Sequence, residues 1–196
     1  MYKKQMTIQR ILCLVAIIAS VVVFLYSLGI MTDLYDSLYS TIPNPKKPTS
    51  TRVEGTLVYI HMQPFNRTLL SCSIGMILLG AFLFVTNTHV RRRYYISNFI
   101  ATGAYAAASV ALAVYSHLQI AIYKAEFLQI DFEGLKKFAE DRGKLYTEST
   151  FWFDAHYVVF GILLLAACLL IANAVWKVVL MKQEAKLVEA GRGIAA

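Results

Sequence analysis

Four runs of the sequence, Ile11–Met31, Leu69–Val85, Phe99–Ile122 and Tyr157–Val179, are almost uninterrupted apolar residues. At about 1.5 Å of rise per residue, a helix of that length crosses most or all of the roughly 30 Å of hydrocarbon in a bilayer. A helix also satisfies its own backbone there, where no water can do so. The pattern predicts an all-α membrane protein with a single domain over residues 1–196, built as a four-helix transmembrane bundle. Two extracytoplasmic loops, 32–68 and 123–156, an inner loop over 86–98 and a tail over 180–196 complete the layout.

The connections carry patterns of their own. Leu34, Tyr35, Leu38 and Tyr39 recur at three and four, so the first helix is expected to continue past the bilayer for a turn or two. Pro43, Pro45 and Pro48 then predict an extended, exposed linker. Beyond it, Val53, Leu57 and Tyr59 alternate loosely and suggest a short strand within Thr51–His61. In the second loop Phe127, Leu128, Phe132, Leu135 and Phe138 keep helical spacing among charged residues, and Gly143 marks a stop. This predicts an amphipathic helix over about 124–142, packed on the protein as a lid in preference to lying on lipid, because its polar face is mixed in sign.

Within the spans, the third is richest in small residues. Gly103, Ala107 and Ala111 repeat every four positions, and Gly75 begins a weaker set in the second span. Such spacing lets helix backbones approach closely, so the third helix is expected at the centre of the bundle, with a homodimer seam as the sharper alternative. Asn173 is the strongly polar side chain deepest in the fourth span and is expected to make an interhelical hydrogen bond.

Composition agrees with the pattern: 58% of residues are hydrophobic and 16% charged, outside the range of soluble domains. The net charge of +7 is not gathered into a stripe for nucleic acid, and no nucleic acid partner is expected. Basic residues flank the spans instead: Lys3, Lys4 and Arg10, the triplet Arg91, Arg92 and Arg93, then Lys177, Lys182, Lys186 and Arg192. The triplet lies in the one short connection, where basic residues dominate orientation, so both termini are expected in the cytoplasm. The first apolar run exceeds a signal-peptide core and lacks an A-x-A-like site, which favours an uncleaved helix. Cys13, Cys72 and Cys168 all fall within spans, where they are expected as small buried residues, so no loop disulfide framework is expected.

Candidate chemistry is sparse. His61, His117 and His156 map to the outer side, with Asp154 beside His156 and Glu126 two turns beyond His117. His117, Asp154 and His156 are weak candidates for a metal or proton-relay site, because Asp154 and His156 are two apart and leave a helix on nearly opposite faces. No catalytic set and no cofactor are expected. Ser116, His117 and Gln119 form a polar patch, and Asn66-Arg67-Thr68 matches a glycosylation sequon set close to the second span. The chemistry therefore points first to a non-enzymatic protein of the plasma (cytoplasmic) membrane, acting as an interaction platform or accessory subunit. Its expected partners are the lipid bilayer and another membrane protein or a second copy. The alternatives are a small transporter or channel with a pore lined by the third helix, and then a membrane enzyme with an outward-facing His/Asp site.

Overall fold

A computed structural model describes residues 2–47, 50–86 and 95–194. The chain is all-helical over these residues: α1 (Tyr2–Leu38), a 3-10 turn (Tyr39–Thr41), α2 (Val58–Thr86), α3 (Tyr95–Phe127), α4 (Phe132–Glu140) and α5 (Phe151–Ile194). Four of them, α1, α2, α3 and α5, are long and apolar enough to cross a membrane. Each runs beyond its apolar run, and α1 does pass the expected span end, as its Leu34 and Leu38 spacing predicts.

The chain divides into two compact units. The first is drawn from Met1–Ser20, Gly75–Val110 and Ile162–Ala196, the second from Val21–Ile74 and Ala111–Gly161. In the first, α1 buries Cys13, Ala16 and Ala19, α3 buries Ala101 and Tyr105, and α5 buries Leu163, Ala166, Ala167 and Leu170. The Tyr105 hydroxyl donates to the Ala16 carbonyl (2.8 Å) and lies 2.9 Å from Ser20 Oγ. Close approach occurs at Gly80, where an added Cβ would sit 3.0 Å from Ile17 Cγ1.

The small residues of α3 are not used in this way. Gly103, Ala107 and Ala111 are exposed, and a Cβ at Gly103 or at Gly75 would meet nothing within 4 Å. The close-packed face expected of Gly103, Ala107, Ala111 and Gly75 is corrected accordingly. Its inward side carries Tyr105 among small and polar residues such as Ala101, Thr102 and Ser109, and large apolar side chains such as Ile100 and Val110 point outward beside the glycine.

In the second unit, Phe127, Ile130, Leu135, Ala139 and Phe153 are buried together with Ile42, Val53 and Val58 of the first loop. The strand expected within Thr51–His61 is replaced by a turn and the first turn of α2. Its buried positions continue as Val58, Met62, Phe65 and Leu69, a helical repeat that a short window mistakes for alternation. Pro64 is accommodated inside α2, and Thr68 Oγ1 donates to its carbonyl. The proline segment also turns: Lys47 N donates to Asn44 O, and Lys46 N to the Asn44 side chain.

The helix expected over 124–142 is two pieces. α3 continues to Phe127, the chain turns, and α4 begins at an Asp131 cap whose Oδ1 accepts from Gly134 N at 3.0 Å. It ends at Gly143 (φ +60), with Lys144 N donating to Ala139 O and Gly143 N to Glu140 O, the paired bonds of a left-handed helix stop. Leu135 and Ala139 pack on protein.

The two loops meet in one cap. Arg52 N donates to Thr41 O (2.8 Å), Thr41 Oγ1 to Thr56 Oγ1 (2.8 Å), and Asp131 N to Glu54 O (3.3 Å). Gly55 has φ +80, and a Cβ there would lie 2.9 Å from the Ile130 backbone. Gly55→Ala is expected to destabilise the cap by about 1–3 kcal/mol, through left-handed strain and overlap with backbone. Gly143→Ala meets open space and is expected to cost only about 1–2 kcal/mol, the left-handed penalty alone. Hydrogen exchange of the 42–57 and 128–143 amides in the two variants measures the difference; equal protection in both would contradict the close approach.

Candidate functional site

The outer candidates separate into a pair and a bystander. His117 on α3 and His156 on α5 meet, with Nδ1 of the first 3.0 Å from Nε2 of the second and ring centroids 5.3 Å apart. His156 is buried, and its Nδ1 bonds the Phe153 carbonyl. A carbonyl only accepts, so Nδ1 of His156 carries the proton and its Nε2 accepts from His117 Nδ1–H. The chain of bonds ends at that carbonyl and ties α3 to α5.

Asp154 is turned away from the pair. It is exposed and accepts from Lys124 Nζ (2.5 Å) and Thr150 Oγ1 (2.8 Å) in the first turn of α5. His61 Nδ1 similarly faces Glu126 Oε1 at 2.5 Å, tying α2 to α3. Among the described residues no group of three or more His, Cys, Asp and Glu side chains is placed to hold a metal. The polar patch is dispersed: Ser116 is buried, His117 exposed. Of the cysteines, Cys13 is buried, whereas Cys72 and Cys168 are exposed, against expectation. The sequon lies inside α2. Arg91, Arg92 and Arg93 fall outside the described residues.

A larger polar constellation sits in the first unit. Three helices each bury a polar pair four residues apart: Gln5 and Gln9 on α1, Asn98 and Thr102 on α3, Asn173 and Lys177 on α5. A spacing of four keeps each pair on one helix face. Asn173 Nδ2 donates to Gln9 Oε1, the interhelical bond expected of it, and Gln9 Nε2 reaches Cys13 Sγ at 3.8 Å. Lys177 Nζ lies 5.6 Å from the Phe99 ring centroid, which links α5 to α3. Lys177 is therefore buried among helices, where its sequence position suggested a headgroup contact. Four atoms of the set, Gln5 Nε2, Asn98 Nδ2, Thr102 Oγ1 and Asn173 Oδ1, are buried without a hydrogen-bond partner.

Sequence reasoning missed four of these six residues and grouped a fifth, Lys177, with the basic residues flanking the spans. Gln5, Gln9 and Asn98 lie just outside the apolar runs and resemble interfacial residues. The usable signal was phase: each pair continues the buried stripe of its helix, as Gln5, Gln9, Cys13 and Ala16 do on α1.

The histidine pair gives a direct expectation. His156→Ala opens a buried site and strips the Phe153 carbonyl of a bond, so a loss of about 1–3 kcal/mol is expected in detergent unfolding. His117→Ala, at an exposed residue, is expected to cost under about 1 kcal/mol. Nitrogen-15 spectra of the imidazoles should show His156 in the Nδ1–H form; the Nε2–H form would contradict the assignment.

No family model matches the chain, and neither the curated proteins nor the solved structures compared with it give a match.

Proposed function

We propose that the chain is a non-enzymatic four-span protein of the cytoplasmic membrane, a four-helix transmembrane bundle with both termini in the cytoplasm. It serves as an interaction platform or as the accessory subunit of a membrane complex. The observation that carries this reading is the outer cap. Ordering backbone costs about 1–2 kcal/mol per residue, and a passive connector between helices has no need to meet that cost. Here the first loop is bonded to itself through Arg52–Thr41 and Thr41–Thr56 and to the second, distant in sequence, through Asp131–Glu54, and the two present an exposed, mixed-charge surface with Glu133, Lys136, Lys137 and Glu140. A pre-ordered surface binds with little further loss of freedom. The outward-facing Gly103, Ala107 and Ala111 support a membrane-protein partner or a second copy of the chain, because they let another helix come close.

The test is a pull-down of the tagged protein from its native membrane in mild detergent or nanodiscs, followed by native mass measurement. A foreign subunit in fixed ratio, or a defined homo-oligomer, is expected, and cap variants such as Gly55→Ala should weaken capture of a foreign subunit. A monomer without protein partners overturns the reading. For orientation, a cysteine at Asn44 should label from outside intact cells in a cysteine-free background, and one at Lys186 only after permeabilisation.

A further inference from the structure

A groove of about 380 Å³ in the second unit lies between α1 and the start of α5. Leu28, Gly29, Thr32, Asp33 and Asp36 line it from α1, and Trp152 lines it from α5. The α1 residues share one face because they recur at three and four. Gly29 decides where the indole sits: a Cβ there would overlap the Trp152 ring, so the ring rests directly on the helix backbone. Tyr26 and Phe151 pack against the same indole, with ring centroids at 6.3 Å and 5.5 Å. The aromatic wall of the groove is therefore fixed before any ligand arrives.

The side-chain oxygens of the α1 wall have only accepting capacity left. Thr32 Oγ1 gives its proton to Leu28 O (2.9 Å), which leaves its lone pairs. Asp33 and Asp36 bring two carboxylates one turn apart, and like charges at that spacing repel. The ion pairs among the described residues lie elsewhere, at His61–Glu126 and Lys124–Asp154, and neither Asp33 nor Asp36 has a hydrogen bond there. A cation between the two relieves their repulsion. A divalent metal seeks oxygen ligands and gains nothing from Leu28 or the indole. An alkylammonium uses every wall: its N–H groups donate to the carboxylates and to Thr32, its charge meets the π surface of Trp152, and its carbons lie on Leu28. Leu28 and Gly29 end the apolar run Ile11–Met31, and Thr32, Asp33 and Asp36 follow it, at the depth where lipid headgroups are found.

We propose that this groove binds a primary alkylammonium group, supplied either by a lipid headgroup of the ethanolamine type or by a soluble amine. Asp33 and Asp36 are its counter-charges, Thr32 a further acceptor and Trp152 its π wall. None of these residues takes part in the ties between the two loops, so the site stands apart from the cap.

The experiment uses the full-length Trp176→Phe protein, freed of lipid in a non-ionic detergent, in which Trp152 is the sole tryptophan. Its emission is titrated with ethanolamine, phosphatidylethanolamine, phosphatidylglycerol and magnesium chloride. A saturable change with an ammonium-bearing probe, and none with phosphatidylglycerol or magnesium, is expected. A response to ethanolamine identifies a soluble amine as sufficient, and a response to phosphatidylethanolamine alone identifies the headgroup. Asp33→Asn and Asp36→Asn should each weaken that binding roughly tenfold, as the loss of a bond between charged groups does. Glu148→Gln, at an exposed acid outside the groove, should leave it unchanged. Each aspartate variant removes one of two like charges, so without ligand its thermal midpoint should equal or exceed that of the parent protein. No response to either ammonium probe overturns the proposal. So does an equal response to phosphatidylglycerol or magnesium, or undiminished binding in Asp33→Asn and Asp36→Asn.

Discussion

A polar side chain turned inward between apolar helices has to find its partner within the protein, on its own helix or another, and this demand shapes many of the described contacts. The helices are built inside out relative to those of a soluble protein. α3 exposes Ile100, Val110, Val114 and Leu118 while it buries Thr102, Ser109 and Ser116. Where a second helix meets the demand, the result is a tie: Tyr105 to the Ala16 carbonyl, Asn173 to Gln9, His156 to His117. Serine hydroxyls follow the cheaper route and return to their own helix, as Ser20 does to Ala16 O and Ser109 to Tyr105 O. Interhelical bonds of this type contribute only about 0.6–2 kcal/mol each, so they set register and choice of partner more than total stability.

Outside the apolar spans a different balance holds. The cap has backbone groups outside regular helix, and they are matched mostly within each loop and once between the loops, at Asp131 N–Glu54 O, with buried apolar side chains such as Ile130 and Leu135. Arg52 and Arg142 both lie over the Phe138 ring, at 5.9 Å and 4.5 Å, so basic side chains cover part of the aromatic surface of α4. Ion pairs at the rim, such as Lys124–Asp154, are solvent-exposed, and pairs of that kind are worth about 0–1 kcal/mol. The cap is held by its backbone ties and its buried Leu135 and Ile130, and the charges decorate it.

Much of the architecture was legible in the sequence because hydrophobic run length is a strong signal. The four long helices, the overrun of α1 through Leu34 and Leu38, the stop at Gly143 and the bond of Asn173 all follow from spacing and residue type. What could not be read was the direction each helix face points. Small residues at a repeat of four, as at Gly103 and Ala107, fit a packed seam and an exposed one equally well, and only the position of Tyr105 on the opposite side decides between them. The strand suggested near Val53 failed for a related reason: a few residues sample either period, and tertiary contact at Thr56 and Val58 selects the turn and the helix. The polar pairs escaped notice because Gln, Asn and Lys near a span end are ordinary at an interface. Their meaning depends on three helices being in phase, which no single stretch of sequence displays.

The tie from Asp131 N to Glu54 O has a consequence for the order in which the protein is made. The acceptor belongs to the connection between the first and second long helices, while the donor follows the third, some seventy-seven residues later in the chain. The contacts of Gly55 with Ile130 and of His61 with Glu126 have the same long span. Until α3 has been synthesised, the first loop has only its local bonds around Thr41. It must wait as an unlatched segment while the translocation machinery handles the next helix. Once the segment around Asp131 has been made, the latch can close. The contacts of the first loop with Asp131 and Ile130 are therefore completed only after the first three long helices have been made.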